Sequence, residues 1–296
     1  MLYLVIFVFP ILINSQVLDT DLSDGLNAEG VSIKYLEGSS EPFKGNVFNY
    51  YPNGNRELKG NYSRGLKEGK WVWWYPNGEK NKTGYYVRSL EDSIWQWWFK
   101  NGQLMKRGKY KKGKKDGRWS EWYEDGTLAN SFGYIDDKPN GKCLKKFANG
   151  EKQIEIMYNY GIKSGIEKEW NENGIPIYEN NWKDGLKDGA QIIWAGNGLI
   201  LSKHRYSKGM LHGEYIDYYK SGQKSIVGNY RFGKKHGTWT YSYKDGVVAL
   251  SGNYRNGDPK GSWFWIRANK SEMVNVDDPD KDWVTKRIRE WERIYN

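Results

Sequence analysis

The 296-residue chain contains one cysteine, Cys143, so no intramolecular disulfide can brace it. Histidine is nearly as scarce, with His204, His212 and His236 only. His212 and His236 lie 24 residues apart in equivalent positions, but no further ligand types recur beside them, so no metal site is expected. No Ser-His-Asp pattern, P-loop or dinucleotide fingerprint occurs. The paired acids Glu167 and Glu169 sit on alternate strand positions and read as a solvated face, not as an acid/base dyad. These absences exclude the usual enzyme classes; no catalytic residue and no cofactor is expected. Long hydrophobic runs are equally few. Residues 1–15, MLYLVIFVFPILINS, are apolar from Met1 to Ile13 and uncharged. The run is too short to span a bilayer comfortably and reads as a secretory signal, which predicts a secreted, periplasmic or cell-surface protein.

Glycine is abundant and regularly placed. It recurs every 24 residues at Gly54, Gly78, Gly102, Gly126, Gly150, Gly174, Gly198, Gly222 and Gly246. Such a register marks a tandem array. Numbering each repeat from column 1 at Gly45, the repeats start at 45, 69, 93, 117, 141, 165, 189, 213, 237 and 261. Columns 1, 10, 16 and 21 hold 30 of the 35 glycines, which chance placement would not give. Column 18 is aromatic throughout, as in Tyr62, Tyr86, Tyr110 and Trp182.

Each glycine column has a local task. Tyr75-Pro76-Asn77-Gly78 and Tyr51-Pro52-Asn53-Gly54 read as type I turns closed by a left-handed glycine. The Gly-x-x-x-Gly stretches, such as Gly65 to Gly69, mark return loops. Between them, Trp71-Val72-Trp73-Trp74-Tyr75 is dense in aromatic and β-branched residues and suits a strand. Trp95, Trp97 and Phe99 alternate and share one face. No helical period appears between residues 45 and 266. The expected fold is all-β: an elongated antiparallel meander of about ten tandem 24-residue hairpins, a solenoid-like ribbon, ending in a short helix. At roughly 4.8 Å per strand it would extend on the order of 90 Å.

The domain boundaries follow: 1–15 a signal peptide, 16–44 an N-terminal half-repeat that starts the sheet, 45–268 the hairpin array, and 269–296 a C-terminal cap. In the cap, Asp278-Pro279-Asp280 is a helix-start signal. Trp283, Val284, Ile288, Trp291, Ile294 and Tyr295 then share one helical face, suited to a cap that folds over the last hairpin and hides the sheet end, or to lying on a membrane surface.

Charge is uneven. The net charge is +10, and residues 93–116 carry eight bases against Asp116 alone. Lysine recurs in column 23 as Lys67, Lys115, Lys163, Lys187 and Lys235, a basic edge that protects the array or serves anionic polymers and headgroups. Column 5 supplies Trp73, Trp97, Tyr241 and Trp265, candidate ligand platforms with Lys100 and Lys112 nearby. Cys143 stands in column 3, where other repeats have tryptophan, and reads as a small buried residue.

Gly69-Lys70-Trp71-Val72-Trp73-Trp74-Tyr75-Pro76-Asn77-Gly78 and Gly228 to Trp239 resemble a MORN-type repeat, nearest the 24-residue bacterial variant labelled YwqK-like antitoxin repeats. The resemblance covers about residues 45–266. It implies a hairpin array used for protein–protein or membrane-associated scaffolding. The first expectation is therefore a non-catalytic, secreted or envelope-associated scaffold that binds another protein. The alternative is a module for glycans, anionic envelope polymers or lipid headgroups. Nucleic acid is not an expected partner.

Overall fold

A computed structural model describes residues 17–267, 270–275 and 281–295. The proposed signal peptide lies outside the described residues, as does the helix-start signal at 278–280. The chain divides into two compact halves, one up to Gly126 and one from Thr127. No helix among the described residues is long and apolar enough to cross a membrane.

Tandem antiparallel hairpins build both halves, as the 24-residue register requires. In the first, Gly45–Tyr50 pairs with Arg56–Ser63, Gly69–Trp74 with Lys80–Val87, and Leu90–Trp98 with Leu104–Lys111. In the second, the pattern runs from Gly141–Lys146 with Lys152–Asn159 to Asp258–Arg267 with Lys270–Asn275. The column-10 turns close as expected: the Gly54 N–H donates to the Tyr51 carbonyl and the Tyr51 N–H to the Asn55 carbonyl. Gly54 and Gly78 take φ of +83° and +89°, the left-handed region that makes glycine the cheap choice there. The return loops are two-residue turns with both φ positive, such as Lys112-Gly113 and Asp184-Gly185.

Hydrogen bonds at several turns tie one repeat to the next. Tyr51 Oη donates to the Trp74 carbonyl at 2.8 Å and Tyr75 Oη to that of Trp98 at 2.8 Å. Asn53 Nδ2 donates to the Pro76 carbonyl at 2.7 Å. Tyr75→Phe removes one such tie and is expected to cost about 1 kcal/mol in a denaturant melt.

The two ends depart from the expected plan. Residues 17–44 do not make a half-repeat. Val17–Leu18 pairs in parallel with Val47 and Phe48, and Leu22–Leu26 with Ser32–Leu36 forms a separate two-stranded sheet. The reason is local: Asn27 Oδ1 accepts the N–H groups of Glu29 and Val31, so the stretch around Gly30 closes its own tight hairpin. Leu22 then buries against Val47, Leu58, Tyr62 and Trp71.

At the other end, helix α1 (Lys281–Tyr295) folds over the last hairpins and lies against the broad face of the sheet there, not across its terminal edge. Val284 and Trp291 are buried with Tyr241, Leu250 and Trp265. The Trp291 ring meets Tyr241 edge-on at 5.4 Å, and its Nε1 donates to the Ser242 carbonyl at 3.1 Å. The apolar ridge that a membrane-surface helix would need is thus engaged by the chain's own sheet.

Candidate functional site

One ladder of residues runs up one face of the N-terminal half. It alternates column 3 with column 16: Val47 opposes Gly60, Trp71 opposes Gly84, and Trp95 opposes Gly108. Each tryptophan lies flat on the glycine of the preceding strand. A Cβ built on Gly60 would come within 2.3 Å of the Trp71 ring, one on Gly84 within 2.1 Å of Trp95, and one on Gly108 within 2.0 Å of Trp119. The register slips by two residues around Gly84 and Gly108, next to the carbonyls that the indoles use. Trp95 Nε1 donates to Tyr85 O at 3.2 Å and Trp119 Nε1 to Lys109 O at 3.0 Å. Column-18 tyrosines meet these rings edge-on, with centroids 5.0 Å apart for Tyr86–Trp95 and 4.8 Å for Tyr110–Trp119, a favoured aromatic geometry.

Beside the ladder, column 5 adds a second row. Trp71, Trp73, Trp95, Trp97 and Trp119 follow one another at centroid spacings of 5.6, 6.0, 5.8 and 5.8 Å. Of the four column-5 candidates, Trp73 and Trp97 are half-buried on this face, while Tyr241 and Trp265 are only 1% and 3% exposed beneath α1. Those two cannot serve as open platforms. Lys100 and Lys112 are exposed but occupy opposite ends of a hairpin, the tip turn and the return loop. The cations that accompany the rings are Lys82, with Nζ 4.3 Å from the Trp73 centroid, and Lys106, 5.6 Å from Trp97. Both are column-14 residues directly across the hairpin from column 5. Counting outward from the turn would have found them.

The column-23 lysines do not stand as a solvent-facing edge. Their strand register opposes them to the column-18 aromatics, as in Tyr62 with Lys67 and Tyr230 with Lys235. They fold inward over rings: Lys67 on Trp71 at 4.7 Å, Lys115 on Trp119 at 5.0 Å, Lys163 on Trp182 at 4.6 Å, Lys187 on Tyr206 at 5.0 Å and Lys235 on Trp239 at 4.3 Å. Burial lowers the pKa of Lys67, Lys82, Lys187 and Lys235 below the ordinary lysine value.

Tyrosines on the same face shift upward for the same reason. Burial, then Glu91 and Tyr110, pushes Tyr86 up to about 12; burial, then Asp19, raises Tyr62 further. The folded state therefore keeps protons that the unfolded chain releases near pH 10. The stability contributed by Tyr86 is whole below pH 10 and is lost as pH rises towards about 12. Phenolate absorbance should accordingly appear at higher pH in the folded protein than in denaturant. Coincident titration curves would refute this.

In the C-terminal half the ladder changes character. Column 16 carries Ile156, Asn180 and His204, and the column-3 residues that follow are Glu167, Gln191 and Tyr215. Glu167, Asn180, Gln191, His204 and Tyr215 are successive cross-strand neighbours. Glu167 is buried, not solvated as its alternation suggested: Lys163 Nζ and Trp182 Nε1 each bind its carboxylate at 2.8 Å. His204 Nε2 and Tyr215 Oη each lie 2.9 Å from the Asp217 carboxylate. His204 stacks on Tyr215 at 3.9 Å. Asn180 is wholly buried, with neither Oδ1 nor Nδ2 meeting a protein partner. Cys143 is buried as expected. Among the described residues no cluster of His, Cys, Asp and Glu is arranged to hold a metal.

Hairpins stacked in register, with a face of aromatic side chains and lysines, define a tandem β-hairpin repeat protein. Six segments, 44–64, 67–88, 91–112, 115–136, 163–184 and 235–256, match the MORN repeat variant. The unmatched stretches between them contain Cys143, Ile156, Gln191, His204 and Tyr215, where the tryptophan-on-glycine pairing is lost. No curated protein matches the chain. Among solved structures it is similar to a chain in the crystal structure of TcdB2-TccC3-Cdc42, with 9% identity and a TM-score of 0.18. That alignment covers 87% of this chain and spans 16% of the other.

Proposed function

We propose that the protein is a non-catalytic scaffold that binds a partner protein across the tryptophan–lysine face of its N-terminal half. One contrast carries this reading. Column-5 rings in the last repeats are buried by α1, whereas the equivalent Trp73 and Trp97 stay half-exposed in a row of stacked indoles. Apolar faces of this kind mark interaction surfaces. The matches to the MORN repeat variant support a scaffold role, and the 24-residue period supports assigning the repeats to the bacterial YwqK-like type. Secretion rests on residues 1–15 and belongs to this proposal. The glycan or anionic-polymer reading keeps Trp73 and Trp97, with Lys82 and Lys106 beside them, but loses Tyr241 and Trp265.

Photo-crosslinking in source cells tests the reading. A crosslinker at Lys106 should give one discrete protein adduct, and one at Arg107, on the opposite face, should give none. Equal labelling from both positions, or none from either, would sink the proposal.

A further inference from the structure

The way α1 covers the column-5 rings of the C-terminal half bears on what the column-5 rings of the N-terminal half accept. At the C-terminal end α1 places Val284 and Trp291 over Tyr241 and Leu250. It also brings a cation: the Arg287 guanidinium sits 5.7 Å from the Trp265 centroid and pairs with Glu272 and Glu290. In that region the column-14 residue is Leu250, and the sheet's own cation is Lys235, whose Nζ lies 5.5 Å from the Tyr241 centroid and donates to Tyr241 Oη at 2.9 Å; Glu292 of α1 lines the same cavity as that ammonium.

The N-terminal half adds a further set of cations to its column-23 lysines. Column 14 there supplies Lys82 and Lys106, so the sheet itself places cations on the column-5 indoles. Lys106 is paired with Glu121 at 2.9 Å. Lys67 and Lys82 have no carboxylate within ion-pair distance among the described residues. Other charges near this face are Lys115, opposite Tyr110, Glu91, opposite Tyr86, and, towards Lys67, Lys34 and Asp19, whose carboxylate accepts a hydrogen bond from Tyr62 Oη at 3.0 Å. A ligand that buries Trp73 and Trp97 must also bury these ammonium groups, which is unfavourable unless it supplies negative charge.

We infer, building on the scaffold reading above, that the occupant of the Trp73–Trp97 face is an acidic amphipathic helix of a partner protein. It would present an aromatic or aliphatic ridge to the two indoles and carboxylates to Lys67 and Lys82. A second copy of this chain is the wrong occupant. Its own helix carries Lys281, Lys286, Arg287, Arg289 and Arg293 against Asp282, Glu290 and Glu292, a net positive charge that would set like on like. The intramolecular case points the same way: where the sheet presents the Lys235 ammonium, α1 contributes Glu292 to the same cavity, and the Trp73–Trp97 face presents further ammonium groups for a partner's carboxylates.

Two synthetic peptides make the test. One has the sequence of residues 281–295; in the other every Lys and Arg of that sequence is replaced by Glu. Titrations of the full chain, followed by calorimetry, should show saturable binding of the acidic peptide, at least tenfold tighter than the basic one and weakened by salt. Lys82→Glu should weaken the acidic peptide at least tenfold, while circular dichroism shows an unchanged β spectrum. Lys59→Glu, on the opposite face, should leave it unaltered. The inference is overturned if the basic peptide binds as tightly, if Lys82→Glu has no effect, or if the acidic peptide does not bind. Should the peptides fail while the Lys106 crosslink still forms, the scaffold reading stands and only the helical, acidic partner falls. Loss of both removes the face as a site.

Discussion

Gly84→Ala should destabilise the N-terminal half by about 2–3 kcal/mol, a large effect for one methyl group on a strand. The added Cβ would lie 2.1 Å from Cδ2 and Cε2 of Trp95, a distance no side chain tolerates. The ring cannot yield easily. It is 3% exposed, its Nε1 is bonded to the Tyr85 carbonyl, Tyr86 abuts its face, and Trp73 and Trp97 lie to either side. Backbone strain is not the cause, because Gly84 is absent from the positive-φ positions. The clash alone sets the magnitude, so the effect must vanish when the ring is removed. Trp95→Ala should itself cost roughly 3–5 kcal/mol. Adding Gly84→Ala to that variant should cost only a few tenths more. The resulting coupling of about 2 kcal/mol is read from urea melts of the four proteins in a double-mutant cycle. Additive effects would show that the indole does not rest on Gly84.

This pairing marks the boundary between what was legible in the sequence and what was not. The glycine at every column 10 follows from turn geometry within four residues, and the hairpins follow from the turns. The tryptophan-on-glycine rule is also written in the sequence, since Gly60, Gly84, Gly108, Gly228 and Gly252 are each followed eleven residues later by tryptophan. Where column 16 becomes Phe132, Ile156, Asn180 or His204, that tryptophan is gone. Reading it needed the strand register, because the two columns meet only across the return loop. Lys82 and Lys106 escaped notice for the same reason. Lys100 and Lys112 are near Trp97 in sequence, whereas column 14 is near it in space. The seat of α1 over the last hairpin was legible, but not which surface of it the helix takes. An apolar helical ridge fits the end of a sheet and its face equally well, and only the tertiary fit of Trp291 on Tyr241 decides between them.

The second large effect lies where the rule is broken. Asn180 and Gln191 occupy the places that glycine and tryptophan take elsewhere, and Asn180 leaves two polar atoms buried without partners. Restoring the pair one residue at a time should give opposite signs. Gln191→Trp alone forces an indole onto the Asn180 Cβ and should cost about 1–3 kcal/mol. Asn180→Gly alone removes two unpaired groups, worth about 1–3 kcal/mol, but adds chain entropy worth up to about 1 kcal/mol, so it should be near neutral or mildly stabilising. Together they should stabilise the C-terminal half by about 2 kcal/mol, since a buried large side chain adds roughly 1.5–3 kcal/mol. The new ring would inherit its surroundings: Trp182 edge-on as Tyr86 is to Trp95, and Lys187 above it as Lys67 is above Trp71. Guanidinium melts of the two single variants and the double variant check the pattern. If the double is no more stable than the native chain, the polar ladder is an equally good packing solution. If it is more stable, residues 167–217 keep their buried polar groups against the interest of the fold. What retains them must then be sought in what that stretch touches.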